Sequence, residues 1–224
     1  MIYQVLNQAI RSKSSDDVAE LVRKTWLEPI ANGESPLCAV RHPLGFTCLP
    51  VLRDGIYGIC IHLFGERRTP VRMSVSPFHC HSWDLLSHIL YGEIGNQHVE
   101  VEPGNTYRVF DTRTTASGDR LLPTEDIVDA RASEPEYWPA GTSYEIPAGL
   151  YHASTVAGGA PAATVVLGLH HPEKRDLTLG ALDTPEHRMT RRLHSRAETI
   201  SLARTALDRL AAVAGDRLVA AGQR

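Results

Sequence analysis

The sequence predicts a mainly β protein, a sandwich or barrel with helices added at both ends. Three observations carry this. The middle of the chain is a series of short apolar or alternating runs broken by Gly, Pro, Asn and Asp. Both ends instead repeat apolar residues at helical spacing. Two histidines one residue apart, His79 and His81, are followed after several such runs by His152, a pattern that suits facing strands.

At the N-terminus, Ile2, Leu6, Ala9 and Ile10 fall on one helical face, and after a Ser/Asp-rich break Val18, Leu21, Val22 and Trp26 do so again. Strands are expected at 55–64, 87–94, 105–110, 142–146 and 163–171, each short and apolar or alternating. The stretch 111–137 is polar and acid-rich, and is expected to be an excursion between strands that could lie over the barrel mouth. After Pro172, Ile200, Ala203, Leu207, Leu210, Ala214, Leu218 and Ala221 form an apolar stripe on a long helix, with Ser195 and Glu198 spaced as a capping box. That helix could cover the barrel with the N-terminal helices or pack on a second subunit. The expected organisation is a helical lead-in over 1–49, a barrel over 50–172, and a connector with a helix over 173–224.

With 224 residues, 42% hydrophobic and 22% charged, the chain can form one sizeable core, and its net charge of −3 points away from nucleic acid as a partner. No helix-turn-helix is evident. The N-terminus has no apolar run of signal-peptide length and no segment suited to spanning a bilayer, so a cytoplasmic location is expected. Cys38, Cys48, Cys60 and Cys80 have neither CxxC spacing nor the density of a disulfide scaffold and read as free thiols. The basic run 187–196 reads as a solvated connector that could attract an acidic partner.

His79 and His81, at i and i+2, can close on one ion from one strand face, and His152 can join them from a facing strand. Gly141, Pro147, Gly149 and His152 follow the pattern Gly, five residues, Pro, one residue, Gly, two residues, His. This run resembles the second cupin motif, with Val156 where that family usually has Asn. His79, His81 and Gly92 match the spacing of the first cupin motif, with two departures: Leu85 stands at the usual glutamate position, and Met73 replaces the glycine that opens the motif. The resemblance covers roughly residues 50 to 172. It implies a double-stranded β-helix (jelly-roll) barrel, often dimeric, holding one divalent ion, Fe(II) or Zn(II), on His79, His81 and His152.

Asp84 lies one place out of phase with the missing carboxylate, and is expected either to bind the ion or to orient one of the histidines. Asp84, Tyr151 and His88 are the candidates for proton handling, with His88 alternatively a packed strand residue. Trp83, Tyr144 and Leu85 are candidates for the substrate wall. Cys80 should point away from its histidine neighbours by alternation, and His62, His170 and His171 rank below His88 as candidates. Three neutral imidazoles leave the ion its full charge, which favours a small polar or anionic ligand. With iron, the resemblance implies a dioxygenase. With zinc, it implies a non-redox isomerase, lyase or bond-forming enzyme, including N–N bond formation in natural-product pathways. A ligand-binding cupin without turnover is the remaining reading.

Overall fold

The computed structural model describes residues 1–65, 75–115 and 118–222, with the side chains of Ala157 and of 216–222 outside that description. The expectation placed on Met73 therefore lies outside the described residues, and those on Leu218 and Ala221 rest on side chains outside the description. In chain order the helices are α1 (Ile2–Arg11), α2 (Ser15–Val22), a π turn (Arg23–Leu27), α3 (Glu28–Ala31) and, at the other end, α4 (Arg196–Gly222). Between them run β1 (Val40–Arg41), β2 (Thr47–Asp54), β3 (Tyr57–Phe64), β4 (His79–Cys80), β5 (Trp83–Tyr91), β6 (Glu93–Thr115), β7 (Gly118–Ala132), β8 (Glu136–Pro139), β9 (Ser143–Ile146), β10 (His152–Val156), β11 (Ala162–His170), β12 (Leu177–Gly180), β13 (His187–Met189) and β14 (Arg192–Leu193).

These strands form two antiparallel sheets. The first has the order β14-β1-β2-β3-β11-β5-β9, and the second β10-β4-β12-β6-β7-β13 with β8 added beside β6. The sheets extend past the expected 50–172 boundaries: β1 and β2 begin before residue 50, and β12, β13 and β14 come after 172. Residues 187–189 and 192–193 are thus strand, and Arg191 between them is ion-paired to the nearly buried Asp119 at 2.7 Å, so the basic run is built into the sheet edge. The stretch 111–137 is also largely strand, because β6 and β7 form a long antiparallel hairpin. Much of its outer part is exposed, so no apolar alternation marks it in the sequence.

The first sheet has two working faces. Ile59, Ile61 and Leu63 on β3, Ala163, Val165 and Leu167 on β11, and Leu86 and Leu90 on β5 pack against Leu6, Ile10, Val18, Val22, Leu27 and Leu210 of the helices. Each buried Leu, Ile or Val side chain contributes about 1.5–3 kcal/mol by leaving water, which holds the helix layer on the sheet. The alternate residues of the same strands face the other sheet and form the barrel interior.

Helix α4 packs along α3, the π turn and β5 of its own chain. Its start is a capping box: Ser195 Oγ accepts from the Glu198 amide at 3.2 Å, and Glu198 Oε2 accepts from the Ser195 amide at 2.8 Å. The buried line is Thr199, Ala203, Ala206 and Leu210; Leu207 is only partly buried and Ala214 is exposed, so the packed face is rotated from the predicted stripe. Small side chains at 203 and 206 suit this face because it lies close to α3. No helix of the described residues is long and apolar enough to cross a membrane.

Candidate metal centre

The second sheet brings the three histidines together through strand register. His79 and His152 sit directly opposite each other across β4 and β10, and His81 follows β4 by one residue. The turn before β10 does what its sequence pattern requires. Leu150 N–H donates to Pro147 O at 3.1 Å, Gly149 takes φ +84°, and its amide donates to His81 O at 2.8 Å, tying the turn to the other ligand strand. Ring centroids lie 4.8 Å apart for His79 and His81, 4.4 Å for His79 and His152, and 5.2 Å for His81 and His152.

One ring nitrogen from each histidine lies within 4.8 Å of those of the other two. Nitrogens about 2.1 Å from a shared ion would stand somewhat closer than this, within reach of small ring rotations. Two tautomers are set by the backbone: His79 Nδ1–H donates to Pro77 O at 2.8 Å, and His152 Nδ1–H donates to Leu150 O at 3.0 Å. This leaves both Nε2 atoms as lone-pair donors, the arrangement that orients metal-binding imidazoles. Burial keeps the cluster neutral. It holds His79 below the usual histidine range, takes His81 well below it, and lowers His152 to about 3, each helped by neighbouring imidazoles or, for His79, partly offset by its backbone bond. Three unprotonated imidazoles, His152 buried and His79 and His81 half-buried, fit a divalent ion.

The other predicted residues divide by strand phase. Strand β5 pairs with β11 in unbroken register from Trp83 to Ile89, so Trp83, Leu85, Ser87 and Ile89 face the interior while Asp84, Leu86 and His88 face the helices. Asp84 is therefore corrected: its carboxylate accepts from the Ala148 amide at 2.9 Å and from His171 Nε2 at 2.8 Å, and these bonds lower its pKa. Neither of these bonds reaches a histidine of the cluster. His88 takes its packed alternative and not a role in proton handling, because it lies buried under the helices with Nε2 3.2 Å from Ser15 Oγ and Nδ1 2.9 Å from Ser143 Oγ. Tyr151 alternates away from His152 and lies with Cys80 on the far side of the second sheet, where burial raises its phenol pKa. Cys80 points away from the histidines as expected, and burial lifts its thiol to about 11.

The three wall residues do face the interior. Trp83 meets His81 edge-on at 5.4 Å, and its ring lies against Gly168 where any side chain would collide with it. Leu85 packs with Ile146, Val166, Tyr144 and Leu150. Tyr144 stands opposite Ser87 on the neighbouring strand, its hydroxyl beside Ser87 and Asn96. Ser87 Oγ and Asn96 Nδ2 are buried and, apart from the Tyr144 hydroxyl beside them, meet no hydrogen-bond partner among the described residues.

A cavity of about 670 Å³ opens at the sheet edge formed by β9 and reaches His152 past Asn96 and Tyr144, with exposed Arg11, Lys13 and Glu136 at its rim. Sequence reasoning missed His98, directly opposite His152 on β6 and on the cavity wall, and Arg53, whose guanidinium lies 5.7 Å from the Trp83 ring centroid. The alternation of Asn96 and His98 marked one, but nothing in the sequence marked Arg53.

No family model matches the sequence. No curated protein matches it. Among solved structures, the chain is similar to a cupin-2 domain protein from Shewanella frigidimarina, at 10% identity over 55% of this chain and 79% of that one, with a TM-score of 0.30. It is similar to a hydroquinone 1,2-dioxygenase at 12% identity over 55% and 63% of the two chains, with a TM-score of 0.31. A hydroxypropylphosphonic acid epoxidase from S. wedmorenis is similar at 15% identity over 55% of this chain with a TM-score of 0.30, and this chain spans 49% of its length. On its own topology and site, two antiparallel sheets closing on three histidines delivered by two spaced motifs, the protein has a cupin-type barrel.

Proposed function

We propose that this protein is a metal-dependent enzyme acting on a small anionic metabolite, with His79, His81 and His152 holding one divalent ion, and that the ion is iron(II) in a dioxygenase-type oxidoreductase. The observation that carries the metal reading is the neutral three-imidazole cluster with two Nδ1–H groups tied to backbone carbonyls. When bound, iron(II) would supply open coordination positions and the electrons that oxygen chemistry needs; zinc(II) would supply Lewis acidity alone.

The residues around the cluster support an anionic substrate. Among the described residues no carboxylate joins the ligand group, so the charge of a bound ion would be left for the substrate to balance. Trp83 bridges His81 to Arg53, a permanent cation at the end of that row. Leu85 and Tyr144 form an apolar wall that excludes water, and Ser87 Oγ and Asn96 Nδ2 offer polar groups that a substrate could satisfy. The cavity has the size of a small-molecule site.

The test is metal content and oxygen uptake of anaerobically purified protein against a panel of small thiols and carboxylic acids. Iron with uptake on at least one panel member, both lost in the H79A/H152A variant, is expected. Zinc with no uptake on any member would overturn the dioxygenase reading in favour of non-redox chemistry.

A further inference from the structure

A second group of soft donors lies inside the barrel, on the first sheet. Cys60 and His62 are at i and i+2 on β3 and so share the interior face, and Cys48 on β2 stands directly opposite His62. The two sulfurs and one imidazole nitrogen all lie within 4.8 Å of one another. Cys48 is 8% and Cys60 2% exposed, and Arg53 Nη2 donates to Cys60 Sγ at 3.3 Å. Isolated buried thiols need no such company. A guanidinium donor on one sulfur, a second sulfur beside it and an imidazole across the strand pair together form a place where thiolate is favoured.

We propose that Cys48, Cys60 and His62 form a second metal site, selective for a thiophilic ion such as zinc(II) or cadmium(II) and independent of the three-histidine centre. Sulfurs about 2.3 Å from a shared tetrahedral ion stand about 3.8 Å apart, so side-chain rotations without backbone movement would close the group. Two thiolates balance the charge of a divalent ion, so this site can sit in the interior without an anionic substrate, unlike the histidine cluster. Arg53 remains as a donor to Cys60 sulfur and limits its basicity. Each thiol that binds releases its proton to solvent, so occupancy rises with pH.

Cobalt(II) titration of the full chain in a non-chelating phosphine reductant tests the assignment. The expected result is two equivalents per chain, with a sulfur-to-cobalt charge-transfer band in the near ultraviolet. C48S/C60S should lose the band and fall to one equivalent, C48S alone should weaken it roughly twofold, and H79A/H152A should keep it in full while losing the other equivalent. Absence of the band in the wild type, or its survival in C48S/C60S, overturns the second site. Loss of the histidine equivalent is read separately, so failure of either site leaves the other measurable.

Discussion

The two donor clusters face the same interior from opposite sheets, yet they differ in charge and softness. His79, His81 and His152 offer three neutral nitrogens and no charge to cancel that of an ion, whereas Cys48, Cys60 and His62 can offer two thiolates. One arrangement asks for a ligand from outside and the other does not. The same contrast separates the two faces of β5. Its interior face carries Trp83 against His81 and Leu85 in an apolar cluster, while its helix-side face fixes Asp84 and His88 in hydrogen bonds that hold the fold together. Chemistry and scaffold here are one residue apart in sequence.

The sharpest break of the comparison is at the ligands. Replacing His81 or His152 with alanine should weaken divalent-metal binding by more than about a hundredfold, because loss of groups that merely orient a ligand already costs about ten- to a hundredfold. Circular dichroism should still report a folded barrel; unchanged affinity by calorimetry would remove the site from these residues.

Acid should expose the histidine cluster next. In the metal-free protein His152 titrates at about 3, whereas in the unfolded chain it titrates near about 6.5. Between these values the unfolded chain binds the proton and the native state does not. Stability is therefore lost as pH falls from about 6.5 toward about 3, by roughly 1.4 kcal/mol per pH unit for this group, with His79 and His81 acting in the same direction. Urea midpoints across that range check the slope, and a flat profile would contradict the neutral cluster.

Smaller effects belong to the helix-side face. His88→Ala removes a buried ring bonded to Ser15 and Ser143 and should destabilise the fold by about 2–3 kcal/mol without changing metal affinity. Asp84→Asn should leave metal affinity within about twofold and shift stability by less than about 1 kcal/mol, because the carboxylate is half-exposed and its charge is screened by solvent. A large loss of metal on Asp84→Asn would restore it to the site.

The legible parts of this molecule are those where one period dominates. Helical spacing exposed α1, α2 and α4, and the two His motifs exposed the ligands, because their turn glycines and i, i+2 spacing are local. The phase of Asp84 was equally local: β5 carries no bulge between Trp83 and Ile89, so a one-residue offset puts the carboxylate on the wrong face. The second cluster was hidden, since it depends on which residue of β2 stands opposite His62, and that register shifts between Pro50 and Leu52. The β6–β7 hairpin was hidden for another reason: strands exposed over much of their length carry no apolar alternation.

The central claim is tested most directly by elemental analysis of wild-type and H79A/H152A proteins purified side by side, anaerobically and without added metal. The variant, still folded, should carry about one divalent equivalent per chain less than the wild type. Equal metal content in the two proteins would contradict it.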